Sequence, residues 1–314
     1  MLKWLSSTVL GLMVIHVCVN SGGYVFVKAA LAEFTPFAFA FWRFLFGLVG
    51  LGVMLAARRS WPRIEKADWP RFLLFAALAV PANQLLYLKG MRYTVPSHAS
   101  LIYGSTAALV LVLSTRLGYE KLRRGRVIAI VVAVCGVVLV VSESPTRIMG
   151  SEGFGGDVLV ALSMVAFAVY TVLAKPMVTK YGAVQVGLVC LIIGSVATLP
   201  FLVAPAMMQD YSVVTWRGWG GAIYTGIMIT AVSYTIWFAL LKRLDPSQLA
   251  IMTTPQPVVT TALSVLILGE APGPVLIIGG VMVISGVLLM QGRALLNRRV
   301  PAPAVSSHEH SEMP

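Results

Sequence analysis

Apolar residues run in ten long stretches along this chain, separated by short polar punctuation. The hydrophobic windows predict helices near residues 8–31, 36–57, 70–91, 96–117, 125–142, 157–177, 183–204, 219–241, 247–268 and 273–293. Runs of about 20 apolar residues are long enough to cross ~30 Å of hydrocarbon. Helix breakers and turn formers mark the joints: Pro36, Trp61-Pro62, Pro70, Pro96, Gly153 to Gly156, Gly182, Asp245-Pro246 and Pro272 to Pro274. Asp245 before Pro246 reads as an N-cap followed by a proline at the first helical position. The first run begins near Val9 and continues past Cys18 toward Ala30 with no small-x-small cleavage site. It reads as a retained spanning helix. The pattern predicts an all-α polytopic membrane protein with ten transmembrane helices.

A second pattern lies over the first. Arg92, Pro96, Ser97, Glu120 and Gly136 recur 150 residues later as Lys242, Pro246, Ser247, Glu270 and Gly286. The chain therefore reads as two five-helix repeats, residues 1–147 and 148–299, followed by a polar, Pro/Ser/His-rich tail over 300–314 predicted to be disordered and cytoplasmic. Five is odd, so the second copy enters the membrane from the opposite side. The repeat is inverted, an architecture common among secondary transporters.

Composition agrees with that reading. Of 314 residues, 58% are hydrophobic and 11% charged, whereas soluble domains are about 25% charged. The net charge of +12 does not point to nucleic acid. Of the 24 Lys and Arg, 18 fall in loops and ends on one side of the predicted membrane. Five (Lys28, Lys89, Arg92, Arg147 and Arg217) fall on the other, and Arg43 lies within helix two. The positive-inside rule then puts both termini in the cytoplasm, with lipid headgroups as the partners of the basic loops. Cys18, Cys135 and Cys190 lie inside apolar runs with no CxxC or Cys/His spacing, so neither a disulfide framework nor a metal site is read, and no cofactor is expected.

The repeat also singles out polar residues. In helix nine, Pro255 and Pro257 remove two backbone donors and leave the carbonyls of Ile251 and Thr253 without helical partners. The offset maps this break, with Thr254 and Gln256, onto Gly104, Ser105 and Thr106 of helix four. Paired irregularities in two halves point to a transporter's binding site; the alternative is a packing kink. In helix three, Asn83 and Tyr87 share a face, as do their partners Ser233 and Trp237 in helix eight. These faces line a cavity for a small organic molecule, or else form an interfacial aromatic belt. Helix one offers Asn20, as a cavity hydrogen bonder or as interhelical glue, and Lys28. Helix six offers Tyr170 and Lys175. Both lysines read as snorkelling to the interfaces.

Arg43 is the costliest residue, at about 2.5 kcal/mol or more on insertion scales. It holds a loop carbonyl or a carboxylate, or it meets a substrate. No Asp or Glu falls in the middle of a predicted span; Glu33, Glu120, Asp157 and Glu270 are all placed at helix ends. His16 reads as a packing residue, and His98 as interfacial.

Several elements resemble the EamA family of the drug/metabolite transporter superfamily: Asn20 to Lys28, Trp42-Arg43-Phe44, the block Ala99 to Glu120 with its copy Ala250 to Glu270, and Ala166 to Lys175. The resemblance covers about residues 8–293. It implies a ten-helix transporter with a cavity built from helices 1, 3, 4, 6, 8 and 9, and with helices 5 and 10 at the periphery. It further implies a bacterial inner-membrane location and export of amino acids or related metabolites. Gly104-Ser105-Thr106 stands where many relatives have a proline. The small multidrug relatives carry a functional Glu in helix one, and this helix has none before Glu33.

The resulting expectation is a metabolite exporter working by alternating access. Arg43 and Lys28 are the available cations, which favours a zwitterionic or carboxylate-bearing substrate. An uncoupled facilitator is the alternative within the same fold. An intramembrane enzyme is disfavoured, because no HExxH, GxSxG or paired intramembrane acids occur.

Overall fold

A computed structural model describes residues 7–58, 64–119, 124–147, 150–244, 249 and 253–296. Glu120, Asp245, Pro246, Ser247 and the tail over 300–314 lie outside the described residues. Those that are described form helices and no strands: α1 (Ser7–Ala30), α2 (Pro36–Arg58), α3 (Trp69–Ala77), α4 (Leu86–Tyr93), α5 (Pro96–Gly104), α6 (Thr106–Arg116), α7 (Arg124–Arg147), α8 (Gly150–Tyr181), α9 (Ala183–Met207), α10 (Trp216–Tyr224), α11 (Tyr234–Arg243), α12 (Gln256–Leu268) and α13 (Pro274–Leu296). Segments of π-helix, Leu78–Leu85 and Thr225–Ser233, join α3 to α4 and α10 to α11 into single spans. Among the described residues, seven helical stretches can cross a membrane by length and composition, and three shorter apolar helices accompany them. The total matches the ten runs read from the sequence.

The two repeats are interlocked rather than side by side. Helix two of each packs on the third span of the other. A methyl group at Gly47 of α2 would lie 3.3 Å from the Gly226 carbonyl oxygen; at Gly194 of α9 it would lie 2.8 Å from that of Ala76. Those pairs are the same contact seen twice. The fifth helices, α7 and α13, pack on each other through small residues. A methyl at Gly136 would meet the Gly279 carbonyl oxygen at 2.7 Å, and one at Gly286 would meet that of Ala129 at 2.7 Å. With no hydrophobic drive between helices in lipid, such close backbone approach supplies the packing energy.

Both sequence-predicted breaks exist, and they touch. α5 ends at Gly104, Ser105 forms a turn, and α6 restarts at Thr106; residues 253–255 form the matching turn before α12. A methyl at Gly104 would lie 3.1 Å from Pro257 Cγ, so the bare glycine lets α12 approach. One expectation changes: the Thr253 carbonyl is not orphaned, because it accepts from the Gln256 N–H at 2.9 Å. The π segments were not legible in the pattern. Pro81 lies inside the first and withholds an N–H. In the second, the Thr230 hydroxyl reaches the Thr225 carbonyl at 3.3 Å.

Charged residues near the helix ends have specific work. The Lys28 ammonium donates to the carbonyls of Met91, Arg92 and Thr94 at 3.1, 3.2 and 2.5 Å, closing the C-terminus of α4. Lys175 donates to the Leu241 and Leu244 carbonyls, both at 2.7 Å, closing α11. A cation at orphan carbonyls satisfies both hydrogen bonding and the helix dipole. This corrects the snorkelling expectation. Glu33 accepts from the backbone N–H groups of Thr215 and Gly218, at 2.8 and 3.1 Å, where α10 begins. Asp157 is not at a helix end: it lies eight residues into α8, fully buried, beside the Gly90–Gly156 contact of α4 and α8. It accepts from the Thr94 hydroxyl and pairs with His98 Nδ1 at 2.9 Å. His98, in the first turn of α5, is buried with Asp157.

Candidate functional site

One face of α1 carries His16, Asn20, Gly23, Tyr24 and Val27, at the three- and four-residue steps of a helix. This face forms one wall of a central cavity. The span of α3 and α4 contributes Asn83, Gln84 and Tyr87; that of α10 and α11 contributes Ile229, Ser233, Tyr234 and Trp237. Tyr103 and Thr106 flank the first break, Thr253 and Gln256 the second. Phe167 comes from α8 and Arg43 from α2.

On one side of the cavity the polar groups form a continuous hydrogen-bonded network. Asn83 Nδ2 donates to Tyr103 Oη at 2.7 Å and to the Ser163 carbonyl at 2.9 Å. Gln84 Nε2 donates to Asn83 Oδ1 at 2.8 Å and to Tyr234 Oη at 2.5 Å, and Tyr234 donates on to Asn83 Oδ1 at 3.2 Å. The Ser163 hydroxyl is given to the Val160 carbonyl at 2.6 Å, so Tyr103 O–H donates to Ser163 Oγ at 2.9 Å. On the other side, Asn20 Nδ2 donates to the His16 carbonyl at 2.7 Å and to Ser233 Oγ at 2.5 Å. Ser233 Oγ in turn lies 2.9 Å from His16 Nδ1.

Much of the remaining lining is aromatic. Tyr24, Tyr87 and Tyr103 meet edge-on, with centroids 5.8–6.2 Å apart. Phe167 packs on Trp237 at 5.1 Å, and Trp237 on His16 at 5.4 Å. Edge-on rings at these distances are in the favourable range of quadrupole geometry.

Two residues break this pattern of satisfaction. Arg43 is 2% exposed, and its Nε and Nη1 have no hydrogen-bond partner. Trp237 Nε1 is likewise buried and unpaired. The lining contains no carboxylate that could neutralise the guanidinium. Buried polar groups are nearly always bonded, so unpaired donors on two residues that line one cavity fit a bound acceptor. No group of three or more His, Cys, Asp or Glu that could hold a metal occurs among the described residues.

The sequence matches the EamA-like transporter family over residues 7–142 and again over 154–291. The chain belongs to that family. An uncharacterized transporter of Archaeoglobus fulgidus is 28% identical, the match covering 86% of this chain and 92% of the relative. One of Bacillus subtilis is 27% identical over 79% of this chain and 76% of its own. A "probable terminal-alkyne amino-acid exporter" of Streptantibioticus cattleyicolor is 24% identical over 76% and 78%. A solved crystal structure shares the fold, with TM-score 0.66 at 20% identity, covering 93% of this chain and 98% of that one. This EamA-like protein is thus a multi-pass membrane protein and a transporter.

Of the residues singled out in the sequence, Asn20, Asn83, Tyr87, Thr106, Ser233, Trp237 and Gln256 share the cavity, and Arg43 joins them. Four do not line it. The Ser105 hydroxyl is turned to the Ile102 carbonyl at 2.7 Å. Tyr170 is fully buried against Phe75 of α3; the repeat partner of Asn20 at the 147-residue offset is Phe167, which lines the cavity. The turn over 253–255 presents Thr253 rather than Thr254. Lys28 caps α4. His16, Tyr24, Gln84, Tyr103, Phe167 and Tyr234 were missed. The first two lie four residues either side of Asn20, and Gln84 and Tyr234 are partners at the offset of 150.

Proposed function

We propose that this EamA-like transporter carries small carboxylate-bearing metabolites, amino acids among them, out of the cell by alternating access around the central cavity. The observation that carries this reading is Arg43: a buried guanidinium with two unpaired N–H groups and no acidic neighbour in the lining. A carboxylate would supply the missing acceptors in a charge-assisted bond. The aromatic wall would hold an apolar side chain, and the amides of Asn20 and Gln256 would orient the remaining polar groups. The substrate named for the Streptantibioticus cattleyicolor relative has the same chemistry. The two five-helix units, residues 1–147 and 148–299, would rock against each other.

The test is flux of radiolabelled amino acids through proteoliposomes, with and without a pH gradient. The expected result is saturable flux of at least one amino acid, reduced at least ~10-fold in Arg43→Gln; flux indifferent to Arg43 in every case would refute the carboxylate assignment. The uncoupled facilitator remains as a second reading, because no carboxylate lines the cavity. Flux that ignores the gradient would favour it. We place the protein in the bacterial inner membrane with both termini cytoplasmic, so single cysteines at positions 150 and 271 should react with an impermeant reagent from the periplasmic side.

A further inference from the structure

The arrangement around His16 fixes more than its position. Asn20 Nδ2 lies 2.7 Å from the His16 carbonyl oxygen, which can only accept, so the amide nitrogen is correctly placed there. The same nitrogen donates to Ser233 Oγ. The serine hydrogen is therefore available to His16 Nδ1 at 2.9 Å, with Asn20 Nδ2 itself 3.3 Å from that ring nitrogen. Both neighbours of Nδ1 are donors, so Nδ1 accepts and the ring proton sits on Nε2. Charging this imidazole means adding a proton to the Nδ1 lone pair. Nδ1–H then has to donate, Ser233 must turn its hydrogen away, and the Asn20 contact becomes donor against donor.

We propose that His16 is the proton-binding group of the transport cavity, and that its protonation at Nδ1 releases the Asn20–Ser233–His16 chain joining α1 to the α10–α11 span. This rests on reading the cavity as a transporter's, but not on the carboxylate assignment. One proton from water is taken up on Nδ1 and returned to water; no other bond forms or breaks. The charged and neutral states differ by one positive charge in the cavity that Arg43 also lines and by one link between the two repeats. That is what a coupling site needs: a local charge change biasing a two-state element. The other titratable or charged groups facing the cavity are Tyr24 of α1, Arg43 of α2, Tyr87 of α4, Tyr103 of α5 and Tyr234 of α11. α8 brings Phe167, the turn over 253–255 Thr253 and α12 Gln256, and none of these is titratable. His98 is held by Asp157 outside the lining.

The experiment uses the full chain in lipid nanodiscs with 13C,15N-labelled histidine and no added ligand, observed by NMR from about pH 4 to about pH 8. The chain has four histidines. His16 is identified by loss of its signal in His16→Gln, and independently by the ring-current change in Trp237→Phe. The expected result has three parts: His16 titrates as a single site, its neutral form is the Nε2–H tautomer, and Ser233→Ala relaxes that tautomer preference toward a mixture. A neutral Nδ1–H tautomer, or a His16 signal unmoved over the whole range, would overturn the proposal. In proteoliposomes, the ratio of flux at pH 6 to flux at pH 8 should collapse toward one in His16→Gln; an unaltered ratio would also overturn it. Absence of flux with every amino acid would count against the carboxylate reading and leave the NMR result to decide the histidine.

Discussion

Gln84 Nε2 lies 2.5 Å from Tyr234 Oη, and the two residues are 150 positions apart, equivalent places in the two repeats. Equivalent residues of two copies can touch only where the pseudo-two-fold axis passes between them. The axis therefore runs through the cavity wall. It runs also between α7 and α13, where Gly136 and Gly286 make the same contact in reverse.

Tyr234→Phe removes a partner from Gln84 inside the membrane. We expect a loss of about 1–3 kcal/mol, the cost of one buried unpaired donor. The double variant Gln84→Leu/Tyr234→Phe should cost less than the sum of the single changes, because it removes both ends of the bond. Thermal or denaturant unfolding in detergent would measure this; strict additivity would show that the contact is not energetically coupled.

Arg43→Met should separate stability from transport. The unpaired guanidinium weakens the empty fold, and an apolar side chain of similar length removes that burden, so the melting temperature should rise. By analogy with buried charges replaced by hydrophobic groups, the gain is ~1 kcal/mol or more. Flux of carboxylate substrates should be lost in the same protein. A lower melting temperature would mean that Arg43 is structurally paired.

Gly136→Ala and Gly286→Ala should destabilise about equally, by roughly 1–3 kcal/mol, since each new methyl meets backbone atoms of the facing helix. Gly11→Ala is the control. Nothing lies within 4 Å of that position, and the gain in helix propensity should make it neutral or slightly stabilising. Equal losses at all three glycines would show that close packing is not the cause.

Lys28→Met leaves three carbonyls without their donor, and Lys175→Met leaves two. Both should accelerate amide exchange in the last turns of α4 and α11, seen by hydrogen–deuterium exchange. If the lysines only snorkel, those turns should exchange as in the parent chain.

Burial holds the Glu270 carboxyl above its ordinary value, against lowering by neighbouring hydrogen-bond donors, His98 and Lys28. The folded state thus binds this proton more tightly than the unfolded state. The contribution is most favourable below the unfolded value, and it is lost as pH rises through the raised folded value. Glu270→Gln should raise the melting temperature at pH 7 more than at pH 4, where the parent carboxyl is already protonated. The two curves would run parallel if Glu270 had no part in the pH dependence.

The spans, the repeat and the Gly104 and Pro255–Pro257 breaks were legible because each leaves a one-dimensional signal: an apolar run, a fixed offset or a helix breaker. The π segments share no such signal: Leu78–Leu85 contains Pro81, but Thr225–Ser233 has no proline. They matter because a wider turn resets which residues face inward. His16 looked like packing when judged alone. Its place becomes visible only as part of the stripe His16–Asn20–Gly23–Tyr24–Val27. Lys28 and Lys175 could not be assigned without knowing which carbonyls lay within reach. The cavity is also less symmetric than the repeat suggests: at the 147-residue offset, Asn20 became Phe167 and His16 became Ser163, so the polar and apolar walls diverged after duplication.

The crossing of α2 with the span of α10 and α11 has a consequence for how the protein is made. The Arg43 backbone lies against Gly226, 183 residues later in the chain. At roughly 5–20 residues per second, the ribosome needs on the order of 10–40 s to reach that neighbour. For that interval the nascent chain holds a guanidinium in the bilayer at about 2.5–3.5 kcal/mol with its eventual surroundings unmade. The first two helices must therefore wait at the insertion machinery, or in a provisional arrangement, until the second repeat arrives to complete them.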